Sequence, residues 1–379
     1  MILHLIHDDK VLPRMIAQFE EVCPGNNVYL CVIRTCDSNY LRFLHDNPYV
    51  VRSDSEEVES IPWENIDKIC IHYLSFSKIR CYLRMLYKHH LDKCKVIWII
   101  WGGDIYDVLE RRGFNQYSED NSYLSIRNLY RSGAFSFKSL LRSISSKIHN
   151  CITDFAISIF VDKRVDYIVC TEEEYNLFTR YLRFSKCVGL LKYNYYPIED
   201  TLGTLVDKKI SGNSIIVGNS ASESNNHEYI LGFIDNLEFG DRRVYVPLSY
   251  GEDVKYISII EDKFRKISNT VILKRFLPLE EYHNLLINCS TFVYGNFRQE
   301  AWGNILVALY MGGKVYLSEN SILSRTLIKA GYKIFITEHI KETFHIELTE
   351  EEKDNNRRIA MDTCSREQNR KNIEYICGL

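Results

Sequence analysis

The chain of 379 residues lacks an excess of either charge: 47 Lys and Arg stand against 50 Asp and Glu, a net of -3. A protein built to neutralise nucleic-acid phosphates carries a strongly basic domain, so that class is excluded and no nucleic-acid partner is expected. The 12 cysteines fall singly between Cys23 and Cys377, without a CxxC pair or a His/Cys cluster at zinc spacing. Mostly reduced core thiols are expected, and a structural metal is not. No stretch holds ~18 uncharged apolar residues, and MILHLIHDDK has neither the long apolar core nor the cleavage site of a secretory signal, so a soluble or peripheral chain is expected. A GxGxxG turn and a Walker lysine loop are both missing, which argues against hydride transfer and P-loop chemistry. No repeat of solenoid period is present.

What the sequence does have is length and apolar content. At 46% hydrophobic residues, it exceeds one ordinary core, and two domains of roughly 150–200 residues are the prior. MILHLI, VYLCVI, Tyr49–Val51, KICIHYL, KVIWIIW and RVDYIVC read as buried strands. Helical patterns such as VLPRMIAQFEEV, SKIRCYLRMLYKHHL and TEEEYNLFTRYL separate them, the last with Thr171 as N-cap and Glu174 at the capping-box position. SIIVGN, RRVYVPLSYG, NTVILKRF, TFVYGNF and KVYLSEN repeat the alternation in the second half. This pattern marks βαβ units, hence two α/β domains with parallel sheets. Polar TLGTLVDKKISGN places the boundary near residue 200, giving domains 1–200 and 201–379, with the last helix able to pack back on the first domain. Residues 111–150 break the pattern with basic and aromatic side chains. They suit either an anionic membrane surface or an ordinary amphipathic pair of helices.

Ligands of parallel sheets meet the residues after each strand. In SIIVGNSASESNNH a β-branched run ends at Gly218, and small polar groups lead into a helix, the layout of a phosphate seat or simply of a capped helix. Beside it the loops 247–251, 275–279 and 294–304 supply His227 and Arg275 for charge, Tyr250 for stacking, and Arg298, Gln299 and Glu300 for a sugar or ribose. In the first half WIIWGGDIYD ends a strand in Trp101, Gly102, Gly103 and Asp104. Asp104 is placed either to take a proton from an incoming hydroxyl or to cap the next helix. His7, Asp8, Asp9 and His72 are strand-end residues of the same kind.

VGNSASESNNH followed by VPLSYG resembles the donor domain of the TDP-N-acetylfucosamine:lipid II N-acetylfucosaminyltransferases, glycosyltransferase family 56. WIIWGGDIYD is similar to that family's Trp-x-x-Trp-Gly-Ala-Asp-Leu-Tyr block, RVDYIVCTEEEYNLF to the segment ending its first domain, and Arg298, Gln299 and Gly303 to its Arg-Gln-x-Gly-x-Gly region. The resemblance implies an α/β GT-B fold, two Rossmann-like domains facing a central cleft, and a hexosyltransferase that needs neither metal nor cofactor. It implies a donor site of Gly218, Asn219, Ser220, Ser224, Asn225, His227, Pro247, Tyr250, Arg298, Gln299 and Gly303, to which the strand-end loops add Arg275, Tyr294, Glu300 and Asn304. Asp104 would be the catalytic base, and His7, Asp9, His72, Trp101, Gly102 and Gly103 would face the acceptor. The implied partners are a nucleoside-diphosphate sugar, a TDP-sugar carrying N-acetylfucosamine, and a polyprenyl-diphosphate-linked saccharide. The setting would be the cytoplasmic face of the inner membrane, with the protein peripheral, in common-antigen or O-antigen synthesis. The sequence departs from the family pattern at Gly103, where Ala is expected, at Glu300 and Ala301, where Gln and Gly are expected, and in the longer 111–150 segment. A GT-B-like epimerase and a non-catalytic scaffold of a polysaccharide assembly remain alternatives.

Overall fold

The computed structural model describes residues 1–33, 41–119, 137–249 and 253–379, with the backbone alone at 137–144 and 279. The chain forms two compact units. Unit 1 comprises Met1–Phe114, Phe137–Tyr195 and Glu367–Leu379, and unit 2 comprises Asn115–Ser136 and Tyr196–Arg366.

Unit 1 is wound from β1 (Ile2–Ile6), α1 (Leu12–Val22), β2 (Asn27–Cys31), β3 (Val50–Arg52), β4 (Lys68–His72), α2 (Phe76–His89), β5 (Lys95–Ile99), α3 (Tyr106–Glu110), α4 (Phe137–Arg164), β6 (Tyr167–Val169), α5 (Glu172–Tyr181) and β7 (Gly189–Leu191). The sheet runs β3-β2-β1-β4-β5-β6-β7, with every pair parallel. Helices on both faces explain why β1 and β4 are buried at every position, since a parallel strand covered on both sides cannot alternate with polar residues. α1 turns Leu12, Met15, Ile16 and Phe19 inward, an i, i+3, i+4, i+7 stripe. Thr171 and Glu174 form the expected capping box at the start of α5. The three-residue edge strand β7 carried no periodic signal in the sequence.

Unit 2 contains α6 (Ile198–Leu202), β8 (Ser214–Val217), α7 (His227–Ile234), β9 (Val244–Pro247), α8 (Val254–Phe264), β10 (Thr270–Leu273), α9 (Leu279–Ile287), β11 (Cys289–Tyr294), α10 (Trp302–Tyr310), β12 (Lys314–Leu317), α11 (Ile322–Lys329), β13 (Phe335–Ile336), α12 (Ile340–Thr343) and α13 (Glu350–Cys364). Its parallel sheet runs β10-β9-β8-β11-β12-β13, around a core that includes Ile215, Val217, Ile230, Val246, Tyr256 and Val293. The charged ELTEEEKDNNRR run, a composition suited to a solvated helix, is only half solvated. α13 buries Asn356, Ile359, Ala360 and Cys364, and the Asn356 amide pairs with both backbone groups of Lys333.

One boundary differs from the sequence reading. Asn115–Ser136 groups with unit 2 rather than with the first domain, because Gln116 and Ser118 are hydrogen-bonded to Asn226. The closing helix, α14 (Arg366–Gly378), contributes Ile373 and Ile376 to the core of unit 1, and there Cys377 is bridged to Cys23. Among the described residues no helix is long and apolar enough to cross a membrane.

Candidate functional site

Strand order reverses in each sheet at one place, between β1 and β4 and between β8 and β11. Loops that leave a parallel sheet on either side of such a reversal diverge and open a crevice at the carboxyl ends. Each unit therefore offers one edge to inspect.

In unit 2 the edge is formed by residues 218–226 after β8 and 295–301 after β11. Gly218 has φ +72, and a Cβ there would lie 2.6 Å from His227 Nε2 and 3.1 Å from Asn225 Oδ1. Only glycine lets the chain leave β8 this way. Asn225 closes the loop: its Oδ1 accepts from Asn219 N–H at 2.9 Å and its Nδ2 donates to Ser220 Oγ at 3.0 Å. Ser224 donates to Glu300. The Glu300 carboxylate also accepts from Asn296 Nδ2 at 3.1 Å and from Arg298 Nε at 3.1 Å, which ties the two loops together. Asn226, left-handed at φ 49, donates to Gly295 O at 2.9 Å and accepts from Ser118 N–H at 2.9 Å.

That packing closes over the start of α7. Asn226 and His227 are buried, and His227 Nδ1 is paired with the Tyr256 hydroxyl at 2.9 Å. Burial drives the imidazole pKa down to about 3, so His227 is neutral and, against expectation, supplies no charge to a ligand. The start of α10 is more open: Ala301, Trp302, Gly303 and Asn304 are all half-exposed, and nothing approaches within 4 Å of the place a Gly303 Cβ would take. Asn219, Ser222, Arg298, Gln299 and Glu300 share that partial exposure. The edge thus presents first-turn amides, a guanidinium and small polar side chains, a chemistry suited to phosphate oxygens. Asn219 Oδ1, Asn296 Oδ1 and His227 Nε2 are buried there without hydrogen-bond partners. Such groups are costly unless something satisfies them.

The remaining donor candidates scatter. Pro247 is buried as the last residue of β9, and Tyr294 is a core residue at the end of β11, so neither side chain faces a ligand. Arg275 lies out in solvent, paired with Glu281 at 2.7 Å. Tyr250 lies outside the described residues. Sequence reasoning missed Asn296 and Gln116. Asn296 stands directly after TFVYG, where the strand-end rule reaches it. Gln116, whose side chain accepts from Arg298 at 3.3 Å, lies 182 positions from its partner, and no local pattern announces it.

In unit 1 the corresponding edge is filled by rings. Trp101 Nε1 donates to the Tyr195 hydroxyl at 2.7 Å, that hydroxyl meets His72 Nδ1 at 2.6 Å, His72 Nε2 meets His4 Nδ1 at 3.0 Å, and His4 Nε2 meets Asn27 Oδ1 at 3.2 Å. Indole can only donate, and the Asn27 amide nitrogen donates to Cys23 O. The chain is therefore satisfied with every proton pointing one way and both histidines neutral with the proton on Nε2. Burial lowers the pKa of both imidazoles, so His72 is part of the sheet and not a ligand.

Asp104 is also buried. Its Oδ2 accepts from Leu74 N–H at 2.9 Å and Trp98 Nε1 at 2.8 Å, and its Oδ1 from Trp101 N–H at 3.1 Å. Burial raises its pKa. These bonds commit both oxygens to pinning the ends of β4 and β5, which leaves a base poorly placed to meet a hydroxyl. Asp9 bonds Val11 N–H at 3.1 Å and starts α1. Gly102 is buried with φ 92. Gly103 is exposed, and a Cβ there would meet the Tyr73 ring at 3.4 Å, an ordinary contact that the family's Ala would make. His7 and Trp101 stay half-exposed with ring centroids 4.9 Å apart, and His7 Nδ1 accepts from the buried Lys78 ammonium at 2.9 Å.

Two doubly wound parallel domains with a phosphate-suited edge on the second define the GT-B glycosyltransferase fold. Solved structures of that fold match almost end to end. They include sucrose-phosphate synthase from Thermosynechococcus elongatus, with a TM-score of 0.63, 11% identity, and 100% of this chain and 98% of that one covered. HepE of Anabaena in complex with UDP and glucose gives 0.61, 9%, 100% and 99%. A glycosyltransferase from Rickettsia africae gives 0.59, 10%, 99% and 97%. The family model described as 4-alpha-L-fucosyltransferase glycosyl transferase group 56 matches residues 155–363. The chain belongs to that family and is a glycosyltransferase.

Proposed function

We propose that the chain moves N-acetylfucosamine (4-acetamido-4,6-dideoxygalactose) from its TDP form to a saccharide carried on a polyprenyl diphosphate. The reaction needs no divalent metal and takes place in common-antigen or O-antigen synthesis. The observation that carries the donor half is the β8/β11 edge, where Glu300 ties Arg298 and the loop before the open first turn of α10 to Ser224, in the loop that Asn225 closes onto Asn219. As the glycosidic bond to the donor breaks, negative charge grows on the departing diphosphate, and amides and a guanidinium fixed beforehand stabilise it without reorganisation. HepE in complex with UDP and glucose supports a nucleotide sugar as donor. Glu300, held by Arg298 and Asn296, is positioned for hydroxyls of the sugar or ribose. His7 and Trp101 are the half-exposed rings at the unit 1 edge and suit the acceptor saccharide. Asp104 serves as the brace under Trp101, and no proton transfer is assigned to it.

Titration calorimetry in EDTA tests the donor half: TDP binds the wild type, and absence of heat with every nucleoside diphosphate removes the reading. Mass spectrometry of products from a panel of sugar nucleotides with lipid-linked acceptors identifies the sugar. Product formed from the donor alone would favour an epimerase instead.

We further propose a peripheral seat on the cytoplasmic face of the inner membrane. Its support is a stripe on α4, Ile148, Ile152, Phe155 and Ile159, exposed by 55%, 51%, 67% and 47% and spaced i, i+4, i+7, i+11 on one helix face. Of the basic residues first considered, Arg111 is paired with Asp154 at 2.6 Å and Arg112 bonds Tyr181 O, Lys147 is exposed, and Arg127, Arg131 and the side chains of Lys138 and Arg142 lie outside the described residues. Flotation with anionic vesicles that persists unchanged in an Ile152→Ser/Phe155→Ser variant would remove this seat.

A further inference from the structure

Unit 1 contains a groove of about 820 Å³ at the carboxyl edge of its sheet, walled by α2 on one side and α4 on the other. α2 places Arg80 and Arg84 in it, one helical turn apart on one face. Both are exposed, and among the described residues neither has an ion-pair or hydrogen-bond partner. The other cations of the wall are already engaged, Lys88 with Glu59 at 2.6 Å and Arg111 with Asp154 at 2.6 Å. Of the wall's acids, Asp104 is buried among donors, and Asp107 lies in the field of Arg111. Among the described residues, two guanidiniums thus face the groove without counter-charge. Thr153 of α4 also lines it, and its hydroxyl oxygen is buried without a partner.

The wall itself indicates what kind of anion fits. His149, Asn150, Thr153 and Ile157 turn one side of α4 to the groove, while Ile148, Ile152, Phe155 and Ile159 leave the opposite side apolar and exposed. α2 also carries exposed Leu83 and Tyr87. One helix therefore separates a cationic, polar groove from an apolar surface. A ligand that matches both has an anionic head and a long hydrocarbon tail. A soluble nucleotide or free phosphate would have no use for the stripe.

We propose that this groove holds the diphosphate of a prenyl-diphosphate-linked acceptor, with Arg80 and Arg84 as its ligands. Guanidinium forks match phosphate oxygens bidentately, and two at helical spacing suit two linked phosphates. The proposal rests on the reading that unit 1 receives the acceptor.

The test is calorimetry on the full chain with TDP held at saturation, so that the donor edge is occupied and a second diphosphate reports elsewhere. Farnesyl diphosphate, farnesol and inorganic pyrophosphate are the three probes. Farnesyl diphosphate is expected to bind at least tenfold tighter than either of the others. Arg80→Ala/Arg84→Ala should weaken it roughly 30-fold with TDP affinity unchanged, and Arg80→Lys/Arg84→Lys should recover part of the loss. Equal affinity for farnesyl diphosphate in wild type and the double alanine variant overturns the assignment, as does farnesol binding as tightly as its diphosphate. Pyrophosphate binding as tightly as farnesyl diphosphate makes the groove a site for free anions and overturns it equally. Failure of TDP to bind the wild type would strike the donor reading alone, since the three titrations then still decide the groove.

Discussion

The two switch points of this molecule share a topology and have opposite contents. At β1/β4 the crevice is packed with Trp101, Tyr195, His72 and His4, whose polar atoms satisfy one another. At β8/β11 it is lined by Gly218, Asn219, Ser220 and Asn225, and three buried polar atoms there have no partner. Large rings fill one edge and small side chains leave room at the other. A shared winding therefore says where a ligand can sit, and side-chain volume and hydrogen-bond closure decide whether one does. In unit 1 the accessible polar surface has moved outward, to the groove between α2 and α4.

Acid should distinguish the two units most strongly. Burial lowers the folded-state pKa of His4 and His227 to about 3 and pulls His72 well below the ordinary value. Above the unfolded value of about 6.5 these groups are neutral in both states and cost nothing; as pH falls below it the unfolded chain binds protons that the folded chain refuses. Each histidine then removes about 1.4 kcal/mol of stability per pH unit. In unit 1 the raised pKa values of buried Asp104 and Glu174 oppose this, because there the folded state takes up protons first. In unit 2 no carboxyl with a raised pKa opposes His227 among the described residues. Hydrogen exchange resolved by unit, run between pH 7 and pH 5, is expected to show loss of protection in unit 2 that His227→Asn reduces, leaving the part owed to His283, whose pKa burial also lowers. An unchanged slope in that variant would place the acid sensitivity elsewhere.

The same substitution at two glycines compares the edges directly. Gly218→Ala forces a Cβ to within 2.6 Å of His227 in a left-handed conformation and should cost about 3 kcal/mol together with nucleotide binding. Gly103→Ala meets only the Tyr73 ring at 3.4 Å and should change the melting free energy by less than about 0.5 kcal/mol, because the new methyl has room. Similar melting curves for the two variants would undo the contrast between a tight loop and an open one.

Much of this was legible in advance, for identifiable reasons. Alternating apolar runs announced both parallel sheets because buried strands and amphipathic helices differ in period, and Thr171 with Glu174 announced a capping box. Edge strands Gly189–Leu191 and Phe335–Ile336 did not register, being too short for their pattern to stand out from the loops around them. The glycine after SIIV located the β8/β11 edge, yet sequence could not show that Asn226 would turn its amide toward Ser118 and Gly295 and seal the start of α7. Strand-end position identified Asp104 but said nothing of which way its carboxylate faced. Direction is set by partners such as Leu74, thirty positions away, and local pattern carries no record of them.

At the open edge, Arg298 should matter through charge. Its guanidinium is half-buried and oriented by Glu300 at 3.1 Å and by Gln116 at 3.3 Å, so it reaches a ligand already positioned. Arg298→Ala is expected to weaken TDP binding by about 2 kcal/mol with a melting temperature close to wild type. The corresponding change on the other edge, Trp101→Phe, breaks the indole bond to Tyr195 and should lower stability while sparing TDP. If both variants lost nucleotide affinity equally, the separation of the two edges by function would fail.

The smallest effect concerns Ala301, which caps α10 at φ 61 at a position where the family pattern carries glycine. A left-handed alanine costs roughly 1–2 kcal/mol because its Cβ crowds the following carbonyl, so Ala301→Gly relieves that strain while adding unfolded-state entropy that offsets part of it. A net gain of about 0.5–1 kcal/mol in chemical denaturation is expected, with TDP affinity within twofold, because the first-turn amides keep their places. The strain is held in place by Ile305 N–H bonding Ala301 O at 2.9 Å and by the Glu300 carboxylate one residue earlier. If the glycine variant were no more stable but bound TDP more weakly, Ala301 would be holding the open turn of α10 in its binding shape, and the strain would belong to the donor edge rather than to the fold.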